Sequence, residues 1–162
     1  MYWMAALVVF LLDQSTKWLV QSKMTPFQSI KISGDWFFLT YAKNYGAAFS
    51  IMDGYTSVLI AISAMVFILV WMNRRRLSAY PGLFRWGLAM GLGGAAGNLA
   101  DRVRLGYVVD FLDFHFWPVF NLADTGIVIG VGLIMAGLLI AEYRGRPKDT
   151  EPGKAGPAED RL

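Results

Sequence analysis

Residues 120–141 read F-N-L-A-D-T-G-I-V-I-G-V-G-L-I-M-A-G-L-L-I-A. No residue from Gly126 onward is charged, and a run of this kind crosses a hydrocarbon core about 30 Å thick as a helix of about 20 residues. Its opening differs in kind, because Asn121 and Asp124 stand in the first turns of the same segment. A carboxylate within a membrane span costs a few kcal/mol even on permissive scales, so Asp124 has to face protein and not lipid. One segment thus implies both a membrane protein and a polar site near one membrane surface.

Working outward, three further segments approach the same length: 83–100, 55–72 and 2–20. Segment 55–72 is cleanly apolar, whereas 2–20 carries Asp13, Gln14 and Lys17 and 83–100 carries Arg85 and Asn98. These polar residues belong against the protein interior for the same reason as Asp124. The predicted fold is an all-α membrane protein of four transmembrane helices. Segment 2–20 is read as a retained span and not a signal peptide, since Asp13 and Lys17 interrupt its apolar centre and no small-residue cleavage pattern follows.

Composition agrees. The 162 residues are 56% hydrophobic and only 17% charged, an apolar excess for which a soluble domain of this size has no room. Zero cysteines exclude disulfides and thiolate chemistry, and a single histidine, His115, excludes a polyhistidine metal cluster. Catalysis, if present, has to use carboxylates, hydroxyls or lysine. Residues 142–162 form a Pro-, Gly- and charge-rich stretch with five basic and five acidic residues, expected as a disordered tail; outside it every acidic residue is Asp. The balanced tail leaves the net charge of +3 to the membrane part, where it reads as topology and not as a nucleic-acid footprint.

Arg74, Arg75 and Arg76 in the short loop 73–82, with Arg144, Arg146 and Lys148 beyond the fourth span, assign that side to the cytoplasm. Four spans then place both termini inside and the loops 21–54 and 101–119 outside. Within the first outer loop, Gln28 to Ala42 holds two β-prone runs separated by Ser33-Gly34-Asp35, predicting a small hairpin. Trp36, Phe37, Phe38 and Tyr41 there, and Phe111, Phe114, Phe116 and Trp117 in the second loop, suit either headgroup-level anchoring or a substrate surface. The G-x-x-x-G pairs 87/91 and 126/130 predict close helix packing within one protomer, and no dimer is inferred from them.

The loop 101–119 brings the ends of spans three and four to the same leaflet, so Asp110 and Asp124, 14 residues apart, can be neighbours. Asn98, Asp101 and Arg102 share one face of span three, and Asp13 and Lys17 one face of span one. Two carboxylates brought close cannot both ionise easily; one proton is then shared and the pair can act on a water as base and acid together. Spacing alone leaves this open beside two plainer readings, a solvated charge and a helix cap, with Asn121 capping the fourth span. Nor does spacing choose among Asp110, Asp113 and Asp101.

The strings G-G-A-A-G-N-L-A-D-R at 93–102, V-V-D-F-L-D-F-H at 108–115 and F-N-L-A-D-T at 120–125 resemble lipoprotein signal peptidase, or signal peptidase II, and D-Q-S-T-K at 13–17 and K-N-Y-G-A-A-F-S at 43–50 agree. The resemblance covers all four spans in order and omits the tail. It implies a bacterial inner-membrane aspartic peptidase, residues 1–141, with a small periplasmic β-cradle formed from about 21–54, and a cytoplasmic tail over 142–162. Its catalytic pair falls on Asp110 and Asp124. Substrate-binding or supporting residues fall on Asn44, Gly94, Asn98, Arg102 and Asn121, and a structural polar pair on Asp13 and Lys17. Thr125 stands where many members have Ser. The implied substrates are diacylglyceryl-modified prolipoproteins, cut on the amino side of the lipidated Cys by a monomer among membrane lipids, without metal, cofactor or nucleic acid. A small transporter or channel is the alternative, since intramembrane charges also mark ion paths, although no internal repeat supports it.

Overall fold

A computed structural model of the chain describes residues 2–46 and 54–145. It contains α1 (Trp3–Lys23), β1 (Ser29–Ser33), β2 (Phe37–Asn44), α2 (Thr56–Leu77), α3 (Gly82–Leu105), β3 (Val108–Asp113) and α4 (Leu122–Gly145). Three of the helices, α1, α2 and residues 122–143 of α4, are long and apolar enough to cross a membrane. The 24-residue α3 matches them in length but carries Arg85, Asp101, Arg102 and Arg104, and its composition falls short of theirs.

Sequestered backbone and exposed apolar side chains go together here. On α2, Leu59 is buried while Met65, Ile68, Trp71 and Met72 lie open. A helix satisfies its own amides, so these apolar faces suit lipid without further partners. The central helix is the polar one. α3 packs along both α1 and α4, where small residues let backbones meet. A Cβ on Gly87 would collide with the Gly130 carbonyl oxygen and come within 2.8 Å of the Ile134 amide nitrogen, and one on Gly126 would come within 2.7 Å of Val9 Cγ1 on α1. The glycines at 87, 126 and 130 thus serve packing inside one chain, as their spacing predicts, whereas a Cβ on Gly91 would meet nothing within 4 Å.

The predicted hairpin is present as antiparallel β1 and β2, with Gly34 at φ +51° in the turn. A third strand was not legible in the sequence. β3 pairs antiparallel with β2 across a long connection, giving the order β1-β2-β3, and the chain after it returns so that Phe120 bridges Leu112. The two faces of β3 part by simple alternation. Val109 and Phe111 join Val20, Met24 and Tyr41 in an apolar cluster, while Val108 and Asp110 line a cavity on the other side. The aromatic residues of both connections meet instead of lying as separate belts: Phe114 stacks on Trp36, Phe37 and Phe120 with ring centroids 4.9–5.9 Å apart.

Two expected boundaries shift or fall outside the description. α4 continues through Gly145, so the helix takes in the first residues assigned to the tail; residues 146–162 lie outside the described residues, with Arg146 and Lys148 among them. Of the segment 43–50, Asn44 is described and 47–50 lie outside the described residues.

Candidate active site

The site is built where α1, α3, β3 and the start of α4 converge, and its foundation is a fully buried charge cluster. Lys17 Nζ lies 2.9 Å from Asp13 Oδ2 and 3.0 Å from Asp101 Oδ2, and donates a 2.8 Å hydrogen bond to Asn98 Oδ1. All three charged side chains have zero exposure, a placement that is tolerable only because they pair. The ammonium has three protons and three acceptors. The i, i+4 pairing of Asp13 with Lys17 was legible in the sequence; the second partner, Asp101, was not, although its i+3 spacing from Asn98 set it on the right face.

The same carboxylates grip the backbone of the neighbouring elements. Asp13 Oδ1 accepts from the Ala123 amide at 2.9 Å, one of the unpaired donors at the start of α4, and Asp101 Oδ2 accepts from the Val109 amide at 3.1 Å, one residue before Asp110. Gln14, expected only to face the protein interior, donates to Asp13 Oδ2 and Asp101 Oδ1 at 3.1 and 3.2 Å. Close backbone approach makes this possible. A Cβ on Gly97 would strike the Asp13 carboxylate, and one on Gly94 would strike the Ala123 carbonyl oxygen. Gly94 therefore supports the site through helix packing.

Above the charge cluster lies a layer of amides that faces the two aspartates. Asn98 Oδ1 receives both Lys17 Nζ and, at 3.1 Å, Asn121 Nδ2, which turns Asn98 Nδ2 toward Asp124 Oδ1 at 2.8 Å. Asn121 is fully buried and sits just before α4, where its side-chain oxygen accepts from the Asp124 amide at 2.9 Å while Asp124 Oδ2 accepts from the Asn121 amide at 3.2 Å. This is a reciprocal capping box with Asp at its third position. Asn121 Nδ2 also donates to Asp110 Oδ1 at 2.6 Å, and Asn44 Nδ2 to Asp110 Oδ2 at 2.9 Å. Asn121 thus caps a helix and bridges Asp110 and Asp124 at once.

Asp110 owes its aim to a β-bulge. Thr40 and Tyr41 of β2 stand against Phe111 alone, between the pairs Leu39–Leu112 and Ala42–Asp110. Burial, and after it the charge of Asp124, push the Asp110 carboxyl up to about 7, against hydrogen bonds from Asn44 and Asn121 that pull it down. A cavity of about 430 Å³ collects Asn44, Asn98, Arg102, Asp110 and Asp124 on one wall, and apolar residues of α2 and α4 such as Leu59, Ile62 and Val128 on the other. Arg102 is tied by a 2.7 Å bond from Nη2 to the Gly46 carbonyl, while its buried Nε has no partner among the described residues. Asp113, in contrast, is occupied locally by Thr40 Oγ1 at 2.7 Å and the His115 amide at 2.9 Å.

Comparison with known proteins gives one consistent result. The family model described as "Signal peptidase (SPase) II" matches residues 5–140. The chain is 44% identical to the lipoprotein signal peptidase of Moorella thermoacetica, over 83% of this chain and 90% of the relative, and 46% identical to that of Halothermothrix orenii, over 83% and 92%. A solved structure titled as a bacterial membrane enzyme determined by the in meso method at 2.3 Å resolution superposes with a TM-score of 0.83 at 29% identity, covering 91% of this chain and 93% of that one.

Replacing Lys17 by Met leaves Asp13 and Asp101 buried without their shared counter-charge. The expected loss is about 3–5 kcal/mol of stability, read as a large drop in the thermal unfolding midpoint of the purified protein. An unchanged midpoint would contradict the cluster's role.

Proposed function

Given that this chain belongs to the signal peptidase II family, whose members remove signal peptides from prolipoproteins in bacterial membranes, we propose that it does so with Asp110 and Asp124 as an aspartic dyad. The observation that carries this reading is the double bridge of Asn121, which binds the Asp110 carboxylate through its side chain and the Asp124 carboxylate through its backbone amide. Asp113 and Asp101 are spoken for elsewhere. The transporter alternative is not favoured by any of these relatives.

The two aspartates meet different surroundings, and that difference divides the labour. Asp110 is buried and raised to about 7, so it keeps the shared proton near neutrality. Asp124 lies in the first turn of α4, where backbone amides and the helix dipole face negative charge. In the proposed reaction Asp124 takes a proton from water as the water oxygen bonds to the scissile carbonyl carbon, and the Asp110 proton moves to the carbonyl oxygen. Collapse of the tetrahedral intermediate returns that proton to Asp110 and passes the Asp124 proton to the leaving nitrogen. Arg102 and Asn44 orient the peptide carbonyls beside the dyad, and Arg102 Nε is a donor with no partner among the described residues. No metal or organic cofactor takes part.

The substrate in this reading is a prolipoprotein whose Cys bears diacylglycerol, cut on the amino side of that Cys, with the apolar wall of the cavity against the lipid or signal peptide. α3 is the fourth membrane span, with Asp101 turned into the bundle and Arg104 exposed near its end. The three arginines 74–76 and both termini lie on the cytoplasmic side of the inner membrane, with the sheet and the dyad toward the periplasm. The working unit is one chain, the peptidase domain with its β-rich segment near 21–54, and the tail begins beyond α4, which ends at Gly145. Nucleic acid has no role.

Asp110→Asn and Asp124→Asn variants that still insert and melt near the parent are expected to lose at least a hundredfold in cleavage of a diacylated precursor, scored by gel shift. Full cleavage by either variant would remove its aspartate from the dyad. Because the raised group must stay protonated, kcat/KM should fall as pH rises through about 7. An alkaline limb beginning only above pH 9 would contradict this proton assignment.

A further inference from the structure

A second cavity lies at the opposite end of α2 from the dyad. α1 and α2 each pack against α3 and leave a groove of about 740 Å³ between them, floored by residues such as Phe10, Phe67 and Ala96. Its sides run along α2 from Phe67 to Ser78, about 16 Å at 1.5 Å per residue, close to half of a hydrocarbon core about 30 Å thick. The groove is thus as deep as one leaflet. Arg74 and Arg75 stand at its wet end, and among its described lining residues none is acidic.

The basic end is organised as well as charged. The Arg74 guanidinium lies 4.4 Å over the Trp71 ring and is fixed by a 3.0 Å bond from Nη1 to the Trp71 carbonyl. Arg85, at the start of α3, lies 5.2 Å over the Tyr2 ring and shares a small adjoining cavity with Tyr2, Arg74 and Ser78. Its Nε is buried with no hydrogen-bond partner among the described residues. Arg85 Nη1 donates a long 3.5 Å bond to the Ser78 carbonyl, and the guanidinium adds a third positive charge at this end.

We propose that this groove is a binding site for an anionic phospholipid, with an acyl chain between α1 and α2 and its phosphate against Arg74, Arg75 and Arg85. Charge decides among the possible occupants. A signal peptide carries a positive n-region that would meet these arginines as like charge. A zwitterionic lipid would bring an ammonium for which the described lining residues offer no carboxylate. The site is far from the dyad and does not need the peptidase reading, although its assignment to the cytoplasmic leaflet does rest on the topology proposed above.

The test is native mass spectrometry of the delipidated full chain titrated with phosphatidylglycerol or phosphatidylcholine of the same acyl chains. One phosphatidylglycerol is expected to be retained in preference, and the preference should fall about fivefold for each arginine lost in Arg74→Gln and Arg74→Gln/Arg75→Gln. Lys23→Gln/Lys31→Gln, the same charge change at the other end of the molecule, should leave it unchanged. Equal retention of the two lipids, a preference that survives the arginine changes, or displacement by inorganic phosphate or by an apolar signal peptide would each overturn the site. Melting temperature and prolipoprotein cleavage are read on the same preparations. A folded chain that keeps the lipid preference but does not cleave would sustain the groove and count only against the dyad.

Discussion

The interaction on which the rest of the structure depends is a single buried ammonium. Lys17 holds Asp13 and Asp101 within 3.0 Å and anchors the Asn98 side chain, and through these contacts it reaches every element of the site. Asp13 takes an amide at the start of α4, Asp101 takes an amide of β3, and Asn98 faces Asp124. Removing two carboxylates and one ammonium from water is expensive, so the arrangement is poor evidence for added stability. What it supplies is position. A charge cluster with its acceptors and protons matched has few alternative geometries, and the amides above it inherit that definition.

The layering explains how ionisable groups persist in a chain of this apolarity. The deepest layer is charged and paired, the next is made of amides that donate and accept at once, and only the outermost presents carboxylates to a cavity. Asn121 occupies the hinge of this scheme, since the residue that starts α4 also bridges Asp110 and Asp124. Loss of its side chain would disturb a helix terminus and both carboxylates together.

Much of this was legible in the sequence. The apolar runs predict the helices because bilayer thickness sets their length, and the Ser33-Gly34-Asp35 break predicts the hairpin because turn chemistry is local. The intramembrane polar residues announce a site, since each is too costly to face lipid. β3 was not legible, because its partner strand is distant in sequence and its bulge depends on register and not on composition. Nor was the role of Asp101, which spacing could offer only as a rival to Asp110. Its carboxylate is consumed by Lys17 and Val109, facts of tertiary approach that the close contact of Gly97 with Asp13 permits. The resemblance to signal peptidase II named Asp110 and Asp124 ahead of their neighbours; the geometry adds a physical reason for that choice.

The central claim is that burial beside Asp124 holds the Asp110 carboxyl protonated up to about pH 7, against the hydrogen bonds that Asn44 and Asn121 donate to it. Infrared difference spectroscopy of the purified protein, comparing the parent with Asp110→Asn, measures this directly. The account predicts a protonated-carboxyl carbonyl band present at pH 6, titrating away near pH 7 and absent from Asp110→Asn. A carboxyl that is fully ionised by pH 5, with the parent and variant giving the same spectrum in that region, would contradict it.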